Sequence, residues 1–162
     1  MSLDVDELFR THGTAILGYL ARRVEEPADA ADLLSDVMLV AWRRRSDVPG
    51  SPGDRAWLYG VARNVLANHR RSLRRRSAAV DTLRTVVERV VPPPSAESLD
   101  VRRILATLDP VDHEILTLTA WEGLTSSEIA GILHLPSSTV RARLARTRAI
   151  LRDRLEVGAS RS

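Results

Sequence analysis

Residues 125–152 read TSSEIAGILHLPSSTVRARLARTRAILR, a stretch whose pattern is two short helices joined by a turn. Thr125 is suited to cap the first helix while Glu128, three residues on, reaches back to the cap, a reciprocal capping box. Ile129, Ala130, Ile132 and Leu133 supply its apolar positions. His134, Leu135 and Pro136 end it, because the residue before a proline is pushed out of the helical region. Ser137 is then expected to cap a second helix, with Val140, Leu144, Thr147 and Leu151 facing inward at spacings of four, three and four. Arg141, Arg143, Arg146, Arg148 and Arg152 stand between those positions, and no acid follows Ser137 until Asp153. A short helix, a tight turn and an arginine-loaded second helix is the layout of a helix-turn-helix, whose second helix enters the DNA major groove. The plainer alternative is a solvated basic helix packed on a core; the capped partner helix and the tight turn favour DNA.

Composition narrows the function classes. A chain of 162 residues with 44% hydrophobic content has room for one domain or two small ones and is not disordered as a whole. It has no cysteine, hence no disulfide and no thiolate metal site. His12, His69, His113 and His134 are scattered and lack carboxylates at metal-ligand spacing. No glycine-rich phosphate loop occurs, and nothing points to a nucleophile paired with a base. The expectation is therefore no enzyme, no cofactor and no metal. No apolar run approaches the roughly 20 residues of a membrane span. The opening MSLDVDELFR carries acids where a secretory signal carries basic residues, so a cytoplasmic protein without membrane insertion is expected.

All 24 basic residues are arginine, and their distribution says more than the net charge of +3. Residues 55–76 hold seven arginines and no acid, whereas residues 25–36 hold five acids and no arginine. Two segments of opposite sign suggest two partners, one polyanionic and one basic.

Taken in order, residues 4–23 pattern as an amphipathic helix, with Val5, Leu8, Phe9, His12, Ile16 and Leu20 along one side and His12 read as a core histidine. Pro27 suits the opening of a second helix over 28–45, with Leu33, Leu34, Val37, Met38, Ala41 and Trp42 inward and Asp29, Asp32 and Asp36 aligned. Residues 46–54, SDVPGSPGD, form a loop, and Asp54 is placed to cap a third helix over 55–76. In that helix Trp57, Leu58, Val61, Ala62, Val65, Leu66 and Leu73 make the apolar stripe, and arginines with Asn64 and Asn68 occupy much of the rest. Aromatics among arginines and amides suit single-stranded nucleic acid, although Trp57 and Tyr59 at a helix start are more often core. The triple proline of residues 92–98, PPPSAES, marks an irregular boundary. Beyond it come a short helix over 101–108, a helix opened by Asp109 and Pro110 and ended by Gly123, and the helix-turn-helix, with a frayed tail from Gly158. The predicted fold class is all-α: two small helical domains, 1–76 and 99–157, joined by a linker over 77–98, with 158–162 as tail.

Three passages in this order, DAADLLSDVMLVAWR at 29–43, RAWLYGVARNVLANHRR at 55–71 and the long run from 108 to 155, resemble the extracytoplasmic-function (ECF) group of bacterial RNA polymerase sigma factors. The likeness covers nearly the whole chain. It implies a factor that binds core RNA polymerase through the clamp coiled coil and the flap, and directs initiation at −35 and −10 promoter elements. Residues 1–76 would be the region 2-like domain and 99–157 the region 4-like domain. Asp29, Asp32, Leu33 and Asp36 would dock on the polymerase. Trp57, Arg63, Asn64, Asn68, Arg71 and Arg74 would meet the −10 strand as it opens, where a base is extruded from the duplex. Ser137, Ser138, Thr139, Arg141, Arg143, Arg146 and Arg148 would meet the −35 duplex, Arg141 and Arg146 at base edges or nearby phosphates and Arg143 and Arg148 at phosphates. The family's members are commonly held by an anti-sigma protein, a further partner the resemblance implies.

The chain departs from the family pattern at several positions. Ser35 stands where glutamine is usual, Ala31 where an acid is common, and Met38 where phenylalanine is usual. Ala142 and Ala145 are small where a larger side chain can reach a base, so −35 specificity leans on few arginines and on DNA shape. Val86, Val87, Val90 and Val91 make the linker apolar. Two other classes fit parts of the pattern: a regulator that binds duplex DNA through 125–152 without polymerase, and an interaction module that binds polymerase without initiating.

Overall fold

The computed structural model describes residues 4–80 and 96–160, and all regular structure among them is helical. The helices are α1 (Val5–Ala21), α2 (Pro27–Arg43), α3 (Gly53–Val80), α4 (Ala96–Ala106), α5 (Pro110–Ala120), α6 (Ser126–Leu133) and α7 (Ser137–Ala159). The chain divides into two compact units, the first built on α1 to α3 and the second on α4, α5, α6 through Ala130, and α7.

In the first unit α1, α2 and α3 pack pairwise. Asp4 starts α1, its carboxylate accepting the Asp6 N–H at 3.0 Å, and Asp6 and Glu7 favour the positive end of the helix. Pro27 occupies the first turn of α2, where its missing N–H costs nothing. The core is Leu8, Ile16, Tyr19 and Leu20 from α1, Ala30, Leu33, Val37 and Ala41 from α2, and Leu58, Tyr59, Val61, Ala62 and Leu66 from α3. Tyr19 and Tyr59 meet edge to face with ring centroids 5.5 Å apart, a favoured aromatic geometry.

Three sequence expectations change here. Met38 and Trp42, expected inward, are 41% and 57% exposed. The buried stripe of α2 runs 30, 33, 37, 41, and the next residue along a helix points about 100° away. Leu73 is exposed as well, because α3 has 28 residues against 17 in each of α1 and α2 and outruns its cover. Asp54 lies inside the first turn of α3, which begins two residues earlier than a cap at that position requires.

In the second unit α5 opens as its sequence dictates. Asp109 accepts the Val111 N–H at 3.0 Å and Pro110 follows at the first position. The helix ends at Ala120, and Gly123 at φ 63° takes the left-handed conformation that lets the chain turn back. Ile115, Leu118, Leu124, Ile129, Val140 and Leu144 are buried. Thr147 is also buried, its hydroxyl satisfied by the Arg143 carbonyl at 2.8 Å.

Ser137 is not the cap of α7. Pro136 holds that position with no side-chain cap bond, and the Val140 N–H reaches its carbonyl at 3.1 Å. The helix continues through Gly158 to Ala159, where a frayed tail was expected. Residues 96–98, expected to be irregular, belong to α4, and residues 77–80 extend α3; the rest of the linker, with its valines, lies outside the described residues.

Candidate nucleic-acid interface

The helix-turn-helix is built by local bonds. The Thr125 N–H donates to Glu128 Oε2 at 2.8 Å and the Glu128 N–H to Thr125 Oγ1 at 3.2 Å, completing the capping box. His134 ends α6 in the left-handed region at φ 55°, and the Leu135 N–H returns to the Ala130 carbonyl at 3.0 Å. Val140, Leu144 and Thr147 face inward from α7, which leaves Ser138, Arg141, Ala142, Ala145 and Arg148 on one exposed face at helical spacing. Ser137 and Thr139 are half-buried beside it.

Two of the expected −35 arginines have protein partners. Arg143 donates from Nε to Asp112 Oδ1 at 2.7 Å and from Nη2 to Asp109 Oδ1 at 3.3 Å, and its side chain is 28% exposed. Arg146 donates from Nη2 to Asp112 Oδ2 at 3.1 Å yet stays 61% exposed. Arg141 and Arg148 are exposed on the outer face.

On α3, Trp57, Asn64, Asn68 and Arg71 follow one another at spacings of seven, four and three, and so share a face. Asn64, Asn68, Arg71 and Arg74 are exposed, whereas Trp57 and Arg63 are half-buried. The Arg44 guanidinium lies 5.7 Å from the Trp57 ring centre. Arg71 donates to Asn68 Oδ1, and with Arg74 and Arg75 these residues line an open groove of about 470 Å³. Arg75 extends the same face; the spacing that groups the others predicts it too. Tyr59 is buried and takes no part.

The acidic face of α2 is partly as expected. Asp32 and Asp36 are exposed; Asp29 is half-buried, its Oδ2 3.8 Å from His69 Nε2. Leu33 differs from its expected place on the docking face: it is 4% exposed and belongs to the core. The apolar residues available beside the acids are Met38, Leu39 and Trp42, with the Arg45 guanidinium 5.0 Å from the Trp42 ring centre. A second apolar surface, which periodicity did not single out, is a groove of about 180 Å³ between α4, α5 and α7, lined by Val101, Ile104, Leu105, Leu116, Trp121 and Leu155. Among the described residues no group of three potential ligands can hold a metal ion, and no helix is long and apolar enough to cross a membrane.

Two family models match the chain: Sigma-70 region 2 over residues 8–76, and Sigma-70, region 4 over residues 98–151. The chain belongs to the sigma-70 family. Among relatives of this sigma factor, NccH of Alcaligenes xylosoxydans xylosoxydans, an RNA polymerase sigma factor, is 30% identical over 155 residues, covering 90% of this chain and 83% of NccH. The ECF RNA polymerase sigma factor SigL of Mycobacterium tuberculosis (strain ATCC 25618 / H37Rv) is 29% identical over 146 residues, covering 85% of this chain and 80% of SigL. The fold matches that of the sigma factor RpoE solved with the anti-sigma factor NepR from Bartonella quintana, at TM-score 0.64 and 22% identity over 94% of this chain and 96% of that one. It also matches CnrH solved with the cytosolic domain of CnrY, at TM-score 0.63 and 24% identity over 94% of this chain and 88% of that one.

The region 2 match takes in most of α1 and all of α2, with α3 through Arg76, and the region 4 match takes in α5, α6 and most of α4 and α7. The chain is an ECF sigma factor: it binds core RNA polymerase and promoter DNA and directs promoter-specific initiation. Sigma factors are regulators rather than enzymes.

Proposed function

We propose that this sigma factor divides promoter recognition between its two units and docks on polymerase through surfaces separate from both DNA faces. The observation that carries it is the division of charge within the first unit. On α2, Asp32 and Asp36 are exposed beside Leu39 and Trp42, while residues 55–76 of α3 carry seven arginines and no acid. One surface suits a basic protein partner and the other a nucleic-acid strand.

In this scheme residues 1–76 form the polymerase-docking and −10 domain, 77–98 the linker, 99–157 the −35 domain and 158–162 the tail. Asp32 and Asp36, with Leu39 and Trp42, contact the clamp coiled coil, and the apolar groove between α4, α5 and α7 receives the flap. Trp57, Asn64, Asn68, Arg71 and Arg74 hold the separated −10 strand, and the loop over 46–52 sets base preference there. On α7, Arg141 and Arg146 reach base edges, where a bidentate arginine–guanine pair contributes about 1–3 kcal/mol of discrimination. Arg148, Ser137, Ser138 and Thr139 contact phosphates, which add affinity with little specificity. Arg143, drawn to Asp109 and Asp112, holds α7 in place. The factor performs no chemistry itself and works in the cytoplasm, where the polymerase is. An anti-sigma protein as regulator is supported by the solved complexes of RpoE with NepR and of CnrH with CnrY.

Sequencing of transcript 5′ ends after brief overexpression in the native host supplies cognate promoters. Run-off transcription from one of them is expected only when this protein is added to core enzyme. Failure both to co-migrate with core polymerase and to initiate at such a promoter overturns the proposal. Tight sequence-specific binding to duplex DNA without polymerase would instead mark a free-standing regulator.

A further inference from the structure

Asp112 lies in the first turn of α5 with a side chain only 9% exposed. A carboxylate taken out of water needs partners for both oxygens, and here both are arginines of α7. Oδ1 accepts from Arg143 Nε at 2.7 Å and Oδ2 from Arg146 Nη2 at 3.1 Å. The two arginines are three residues apart, so both lie on the side of α7 that faces α5.

Their situations differ. Arg143 is held at two points, since its Nη2 also reaches Asp109 Oδ1 at 3.3 Å, and it is 28% exposed. That oxygen of Asp109 also accepts the Val111 N–H, so Arg143 is joined to the cap of α5. This staple already fastens α7 to α5 without Arg146. Arg146 gives one donor to Asp112, and its side chain remains 61% exposed. A guanidinium carries five N–H donors in a rigid plane, so one held edge sets the plane and leaves the other donors for a ligand. A long side chain oriented before binding loses less freedom when it binds, and its donors meet one geometry of acceptors better than others.

We propose that Asp112 is a positioning residue for promoter recognition, presenting the Arg146 guanidinium to the −35 duplex in a set plane. This rests on the reading that α7 meets −35 DNA. Asp112 touches no DNA itself and acts through Arg146. Its effect is on which −35 sequences are used, beyond any effect on stability.

The test uses the full chain with core polymerase on a cognate promoter whose −35 element is randomised, with the transcripts sequenced. Arg146→Ala is expected to lower the preference for the best −35 sequence over its single-base variants by about 5- to 150-fold, the range of one well-placed base contact. Asp112→Asn turns a donor toward Arg146 and is expected to lower the same preference at the same base position by at least 3-fold. The double variant should be no worse than Arg146→Ala alone. Asp112→Glu keeps the charge and the fold but moves the carboxylate, so it too should change the ranking. Asp109→Asn loosens only the staple and should lower the melting temperature with the ranking as in wild type. If Arg146→Ala changes the ranking while Asp112→Asn and Asp112→Glu leave it intact, Asp112 is a staple and the proposal is wrong. If Arg146→Ala itself leaves the ranking unchanged, the −35 role of Arg146 fails, and the positioning role falls with it.

Discussion

His12 Nε2 and Asp54 Oδ2 meet at 3.2 Å, joining the middle of α1 to the first turn of α3 with both side chains 16% exposed. The other oxygen of Asp54 accepts the Arg55 N–H at 2.9 Å. One carboxylate therefore ties the start of α3 to α1, directly after the loop over 46–52. Asp54→Ala removes both contacts and strands His12 in a half-buried site. It should destabilise the first unit by about 1–3 kcal/mol, the cost of leaving such a group unpaired. Urea unfolding followed by tryptophan fluorescence measures this, and an unchanged midpoint refutes it. Asp54→Asn keeps an acceptor and should cost less.

On α2 the proposed docking residues and the core residues are different positions, so docking and folding can be tested apart. Asp32→Arg with Asp36→Arg should lower affinity for core polymerase at least tenfold while stability changes by about 0.5 kcal/mol or less, as expected at exposed positions. Trp42→Ala should behave alike but with weaker salt dependence, because its contribution is apolar. Leu33→Ala should do the reverse, costing about 2–5 kcal/mol of stability through a core cavity. Anisotropy titration with core enzyme, alongside thermal melts, distinguishes the two; lost affinity in Leu33→Ala at full stability would restore it as a contact.

The turn between α6 and α7 carries strain and a cap that can be altered separately. His134 sits at φ 55°, a conformation that costs a non-glycine residue about 1–2 kcal/mol. His134→Gly should therefore stabilise the second unit, by about 1 kcal/mol or less once the added freedom of the unfolded chain is counted. Thr125→Ala breaks the capping box and should cost about 1 kcal/mol. Calorimetry of the full chain reads both, and shifts of the same sign would contradict the geometry.

On α3, Asn64 and Arg71 share a face but differ chemically. Asn64→Ala should slow strand opening, followed by 2-aminopurine fluorescence in the −10 element, and leave polymerase binding unchanged. Arg71→Ala should weaken promoter binding at every sequence and reduce its salt slope by about one. Equal salt slopes for wild type and Arg71→Ala would remove Arg71 from the phosphate contacts.

Several features were legible in the residues because their partners lie within one helical turn. The Thr125–Glu128 box, Asp109 and Pro110 opening α5, Pro27 opening α2 and the end of α6 at His134 each depend on contacts spanning five residues or fewer. The all-α class and the basic character of α7 follow from periodicity and composition, which are also local. The Ser137 cap failed although it is local, because Pro136 already had the extended backbone of a cap and the helix began one residue later.

Tertiary structure decided which side of each helix is free and which charges are already engaged. Leu33 and Trp42 both fit a broad apolar stripe on α2, and only the positions of α1 and α3 select the first as core and the second as surface. Arg143, Arg146 and Arg148 look alike in sequence. Asp112 separates them from 31 and 34 residues away, as Asp54 finds His12 across 42. Local propensity carries no information over such distances. Burial does, since a carboxylate withdrawn from water must find its donors wherever the packing of the helices puts them.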